Sequence, residues 1–204
     1  VRGQYAAGHV DKKKVRAYRE ETHVDPHSNT ETYVALKLFL DNWRWYQVPI
    51  YLRTGKRMEA RTSEIIIQFR SGPSHLFSDC KAEILPNILR IRLQPDAGIS
   101  IYLNAKVPGP TMRLDQVGMT FNYSDFFNIK ATTGYESILY DCIQGEHLLF
   151  KHAATVEASW AVVQPILDVW SALKPRDFPN YAPGSLGPDA AQTLMQQDGR
   201  RWIL

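Results

Sequence analysis

Cysteine is almost missing from the 204 residues: Cys80 and Cys142 stand alone, far apart and without CxxC spacing. That pattern excludes a disulfide framework and suits two free thiols in a reducing compartment, so a cytoplasmic protein is expected. Long apolar runs are missing too. Nothing approaches the roughly 20 residues that cross a bilayer, and the opening VRGQYAAGHVDKKK carries no basic stretch leading into an apolar signal core. No membrane segment is predicted. An excess of one charge is the third absence: 24 Lys and Arg against 21 Asp and Glu leave +3. Such a weak overall field argues against a nucleic-acid partner and leaves any electrostatic role to a local cluster.

Several chemical signatures are absent as well. No GxGxxG joins a strand to a helix and no Walker A sequence occurs, so a standard loop for a dinucleotide or ATP is excluded. GxSxG is missing, and neither cysteine sits in a recognisable nucleophile context. His23 and His27 stand four apart, but Pro26 between them and the lack of a third ligand favour surface positions over a metal site. His147 and His152 flank a short apolar run at the end of a helix, where capping or facing the dipole is the plain reading. No metal site and no catalytic base is read from these residues.

What is present is a succession of strands and then helices. In ETYVALKLFLD (31–41) the apolar residues Val34, Leu36, Leu38 and Leu40 recur with period two, which predicts a strand. Further strands are predicted over 48–53, 63–70, 87–95, 98–109 and 115–124, with Pro49 at a strand start where no ladder donor is needed. Alternation in ILRIRL puts Arg90 and Arg92 on one face against Leu89, Ile91 and Leu93 on the other, as in an antiparallel strand with two unlike sides. After Thr133 the period becomes helical: Tyr135, Ile138, Leu139, Cys142 and Ile143, then Trp160, Val163, Leu167 and Trp170. Pro165 is expected to kink or break the second helix, and Pro188 to open a last one over 189–197. The fold predicted is α+β, a large, mostly antiparallel sheet with helices packed on one face. Its parts are a polar surface segment over 1–29, the sheet over 30–132, and helices with a tail over 133–204. The second face of the sheet is left needing a cover.

One cluster stands out. VPIYLRTGKRMEAR (48–61) runs from an apolar strand into four cations, Arg53, Lys56, Arg57 and Arg61. A solvated turn, a nucleic-acid contact and a pocket for a small anion are all compatible with it. Composition alone favours the solvated turn, and Arg53 and Arg57 read as its members. Lys56 and Arg61, following a tight turn at Thr54-Gly55, combine a point charge with a planar fork, a pair suited to a sugar phosphate. Trp43 and Trp45 in DNWRWYQVP stand at period two and read as core or interface residues rather than base-stacking platforms.

Four blocks carry a resemblance: SNTETYVALKLFLDNWRWYQVPIYLRTGKRM (28–58), NILRIRLQPDAGI (87–99), GYESILYDCIQGEHLLF (134–150) and the GSLGPDAAQTLM to GRRW stretch (184–202). In this order they closely resemble the C-terminal part of bacterial-type glucose-6-phosphate dehydrogenase, over nearly the whole chain. The resemblance implies an enzyme that oxidises C1 of β-D-glucose 6-phosphate to the 6-phosphogluconolactone and passes hydride to NADP, the first step of the oxidative pentose phosphate pathway. It implies that Lys56 contacts the sugar or its phosphate edge, that Arg61 faces the phosphate, and that Gln94, in RLQP, walls the pocket. Many members carry Lys where Arg61 stands, so the phosphate contact here is a guanidinium fork rather than an ammonium.

The family's GASGDL coenzyme fingerprint, its HYLGKE substrate motif and its general base have no counterpart among these residues. The missing initiator Met agrees with the expectation of a fragment, inactive alone, whose NADP is bound by an absent N-terminal Rossmann domain. A second, structural NADP site of animal relatives is not expected, because its contacts do not all align. The resemblance further implies a homodimer or homotetramer built on the sheet. The competing reading is a non-catalytic module for dimerisation or sugar-phosphate binding.

Overall fold

The computed structural model describes residues 1–71, 84–127 and 134–203, and they form two compact units. The first combines Val1–Ala60 with Lys151–Leu204; the second is Arg61–Phe150. The elements confirm an α+β chain. Strands β1 (Arg2–Gly3), β2 (Gly8–Val10), β3 (Lys13–Val15), β4 (Tyr33–Leu38) and β5 (Ile50–Gly55) belong to the first unit, with helices α3 (Ala153–Ala172) and α4 (Asp189–Gln196). Strands β6 (Ser63–Gln68), β7 (Ile88–Gln94), β8 (Gly98–Lys106) and β9 (Leu114–Asn122) belong to the second, with α1 (Tyr123–Phe127) and α2 (Tyr135–Gln144). Every strand pairing within these sheets is antiparallel. The predicted strands and the helices over 135–143 and 189–197 are all found, displaced by a few residues at their ends.

The single large sheet is corrected to three: β1-β4-β5, the hairpin β2-β3, and β6-β7-β8-β9. Just after β5 the backbone is held by a loop from the far end of the chain: Gly184 N donates to Arg57 O at 2.7 Å, Glu59 N donates to Ser185 O at 3.0 Å, and Met58 bridges Ser185 in parallel. The picture of helices laid over one face is also too simple. Helix α4 buries Ala191 and Met195, whereas α2 and α3 bury no residue.

The first unit is cored by tyrosines. Tyr33 is 1% exposed and packs with Tyr5, Ala35, Tyr181 and Ala191. This corrects the reading of 1–29 as a surface segment: Gln4 and Tyr5 are buried, Gln4 Nε2 donates to Ser28 O and Thr30 O, and Tyr5 N donates to Thr32 Oγ1. The two faces of β4 are unequally buried: Tyr33 and Ala35 are buried, whereas Val34, Leu36 and Leu38, like Lys37, are only half-buried. The cover on the Tyr33 side is the segment 180–202. Tyr181 stacks near Tyr33, Trp202 faces Arg53 with the guanidinium carbon 4.6 Å from the ring, and Asp198 accepts from Lys37 Nζ and from the Tyr51 hydroxyl.

Helix α3 runs unbroken through Pro165, against the expectation of a break. A proline deletes the donor to the carbonyl four residues back, here Ala161, and on an exposed helix water can take that acceptor. Arg2 ties its C-terminal end down by donating to the carbonyls of Trp170 and Leu173, with Glu31 as ionic partner at 2.9 Å.

The second unit is an open meander. One face of β6–β9 carries Glu64, Arg90, Arg92, Ser100 and Asn122, as the ILRIRL alternation predicts. Gly98 is required there, because a Cβ would lie 2.6 Å from the Arg92 guanidinium. The opposite face presents Ile65, Leu93, Ile99, Val117 and Met119, all exposed. Phe121 at its edge packs with Tyr123, Phe126 and Phe127 of α1.

Candidate functional site

The basic segment after β5 is not a uniform solvated turn. Arg53, still within β5, is stacked on Trp202 and its Nη1 is buried. Arg57 adopts φ 53° and its guanidinium pairs with Glu21 at 3.2 Å, which together with Tyr5 holds it above the ordinary arginine range. Both therefore leave the role of free turn cations that composition suggested. The chain bends at Lys56-Arg57, two residues later than expected, while Thr54 and Gly55 close the strand. Gly55 has to be glycine: a Cβ would stand 2.6 Å from the Tyr33 ring and 2.9 Å from the Met58 sulfur.

Lys56 differs from its neighbours. Its side chain is exposed and has no hydrogen-bond or ion-pair partner among the described residues, yet its backbone is held on both sides. The amide donates to Thr32 O at 2.8 Å, and the carbonyl accepts from the Tyr181 hydroxyl at 2.8 Å. Tyr181 is 5% exposed, and burial raises the pKa of its phenol, so it stays a neutral donor. Thr32 Oγ1 lies 2.9 Å from the same hydroxyl and can donate to it, while the phenol proton faces two carbonyls, Lys56 O at 2.8 Å and Thr32 O at 3.1 Å, of which Lys56 O is the nearer. The result is an unneutralised ammonium whose backbone is held at both peptide groups, an arrangement suited to an anionic ligand.

The other predicted site residues lie in the second unit. Arg61 is exposed in the extended segment that precedes β6, with no partner among the described residues. Gln94 ends β7 opposite Ser63 and precedes a cis peptide to Pro95; its side chain is exposed. Lys56 thus belongs to one compact unit, and Arg61 and Gln94 to the other.

The residues first read as non-functional are placed as follows. His23 sits in a turn with φ 66°, and no cluster of three or more metal-ligating side chains occurs among the described residues. His152 is the N-terminal cap residue of α3 without a side-chain bond, and His147 lies in the turn before it, so neither caps through its ring. Trp43 is 103% exposed in a turn, which removes it from any core of this chain. Cys142 is an exposed free thiol; Cys80 lies outside the described residues.

Sequence reasoning read 180–189 as a loop but missed Tyr181 and Thr32 and what that loop holds. The available signal was the spacing of glycine and proline in NYAPGSLGPD, which marks a loop of fixed conformation but not what it holds.

The family profile "Glucose-6-phosphate dehydrogenase, C-terminal domain" matches residues 1–203. The chain belongs to this family. Glucose-6-phosphate 1-dehydrogenase of Chlamydia trachomatis is 45% identical over 205 residues, covering 99% of this chain and 46% of the relative. That of Mycolicibacterium smegmatis is 45% identical, covering 99% and 40%. Two solved structures align over the full chain. The Mycobacterium avium glucose-6-phosphate 1-dehydrogenase has a TM-score of 0.75 at 34% identity and is covered over 39% of its length. A glucose-6-phosphate dehydrogenase in complex with its substrate glucose-6-phosphate has 0.84 at 30%, covered over 41%. This glucose-6-phosphate dehydrogenase C-terminal domain therefore spans less than half the length of the relatives it matches.

Proposed function

We propose that this chain is the sugar-phosphate-holding part of a cytoplasmic enzyme that oxidises C1 of β-D-glucose 6-phosphate to the lactone, with NADP as hydride acceptor. The observation that carries this reading is the free ammonium of Lys56 on a backbone tied down at both of its peptide groups, inside a chain of this family. Lys56 contacts the sugar or its phosphate edge, Arg61 offers its fork to the phosphate, and Gln94 contributes a neutral amide to the pocket wall.

The coenzyme does not fit the described residues. Their direct strand-to-helix junction, Asn122 into Tyr123, has no glycine to bring backbone amides against a pyrophosphate. The work of this chain is to bind and orient the phosphorylated sugar, and the reacting groups belong to the remainder of the protein.

The apolar face of β6–β9 suits a homodimer or homotetramer contact, since Ile65, Leu93, Ile99, Val117 and Met119 line it in register. A non-catalytic binding module is the alternative.

The test is NADP reduction by the full-length protein at varied glucose 6-phosphate, beside Lys56→Ala and Arg61→Ala. Loss of a charged contact predicts a KM raised about 10- to 100-fold in each variant, with the coenzyme KM unchanged. A full-length protein that does not reduce NADP, or variants with an unaltered KM, would refute the assignment.

A further inference from the structure

The loop Asn180–Pro188 reaches the turn after β5 from the other end of the sequence and takes hold of consecutive residues. The Tyr181 hydroxyl donates to Lys56 O at 2.8 Å, Gly184 N donates to Arg57 O at 2.7 Å, and Ser185 O accepts from Glu59 N at 3.0 Å. Of these contacts only the first comes from a side chain, and it falls on Lys56, whose own side chain has no partner among the described residues. The hydroxyl is fixed in turn. Its ring packs 5.6 Å from Tyr33 and 6.3 Å from Tyr5, while Thr32 Oγ1 lies 2.9 Å from its oxygen. Thr32 O accepts the Lys56 amide, so one buried threonine-tyrosine pair contacts both peptide groups of Lys56.

We infer that Tyr181 is a positioning residue for substrate binding: through its hydroxyl it sets the direction in which Lys56 projects its ammonium. The inference rests on the proposed substrate role of Lys56. A cation on a flexible stem contributes less to binding if its Cα can drift, because the entropy of locating it is lost when the ligand arrives. A hydrogen bond at the carbonyl of the same residue removes that freedom in advance. Tyr51 is the natural comparison. It too gives its hydroxyl to a hydrogen-bond network on this sheet, accepting from Arg200 and donating to Asp198, and it touches neither peptide group of Lys56.

The experiment uses the full-length enzyme and four variants: Tyr181→Phe, Tyr51→Phe, Lys56→Ala and the Tyr181→Phe/Lys56→Ala pair. Tyr181→Phe keeps the ring and its packing and deletes the hydroxyl. Its KM for glucose 6-phosphate is expected to rise about fivefold to tenfold, the range of one lost neutral hydrogen bond, with the coenzyme KM unchanged. Tyr51→Phe leaves both KM values unchanged. The decisive reading is the pair: if Tyr181 acts through Lys56, adding Tyr181→Phe to Lys56→Ala has no further effect on KM. A Tyr181→Phe enzyme with the parental KM overturns the inference, and so does an equal rise with and without Lys56, which would mark a purely structural role. If Lys56→Ala itself binds glucose 6-phosphate normally, the substrate role of Lys56 falls, and this inference falls with it.

Discussion

The two units solve the problem of a sheet's second side in opposite ways. In the first, the Tyr33 face of β4-β5 is covered by the chain's own segment 180–202, including a tyrosine 149 positions from its partner Thr32. In the second, the apolar face of β6–β9 is left open among the described residues, with Met119 55% exposed on the edge strand β9. A face closed from within can hold a turn still for binding. One left open offers apolar surface whose burial would gain free energy on association.

The sharpest way to break the comparison is to remove the centre of the closed side. Tyr33→Ala leaves a cavity at a 1% exposed position and is expected to cost about 3–5 kcal/mol in denaturant unfolding. Tyr33→Phe is the counter-case. The Tyr33 hydroxyl is buried without a hydrogen-bond partner among the described residues, so its removal is expected to cost nothing or to stabilise by about 1 kcal/mol. A loss comparable to that of the alanine variant would mean that the hydroxyl is satisfied.

On the open side the expectation reverses. Met119→Glu places a charge on an exposed strand position and is expected to change unfolding by less than about 0.5 kcal/mol. The same change should weaken self-association at least about tenfold in sedimentation, since an unpaired charge would have to be desolvated in the contact. Intact oligomers in the variant would show that the face is not the contact.

The smallest effect is one of pH. Burial raises the pKa of Tyr33 and Tyr181, and of Tyr5 with help from the Glu21 charge, above the ordinary value of 10.0. The unfolded chain then loses these protons first. Their contribution is fully present below about pH 10 and is lost as pH rises through the folded values. Alkaline unfolding followed by tyrosine absorbance should therefore show the first unit's phenols ionising as the structure opens, and ionisation at the ordinary value without unfolding would contradict it.

The uneven legibility of the sequence follows from the same contrast. In the second unit the alternation of Leu89, Ile91 and Leu93 against Arg90 and Arg92 is local, and the strands appear where it places them. In the first, Val34, Leu36 and Leu38 announced a strand correctly, but their period does not say that the buried residues are Tyr33 and Ala35 on the other face. What decides the core side is Tyr181 and Trp202, which approach across most of the chain and whose hydrogen bonds leave no periodic trace near β4. Lys56 could be singled out because a free cation after a strand is a compositional signal. Tyr181 could not, because its role exists only once the loop has folded back. Whether a proline ends a helix is equally contextual, as Pro165 shows on an exposed α3.

Gly187 adopts φ 102°, and a Cβ there would lie 2.3 Å from the Tyr33 ring, so the far end of the loop has a single admissible residue type. Seen from a geneticist's side, a lesion at this glycine disturbs the loop that carries Tyr181 while leaving Lys56, Arg61 and Gln94 unchanged in sequence. If Lys56 holds the sugar phosphate as proposed, such an allele would present as a failure of binding while mapping far downstream of the cation it disables.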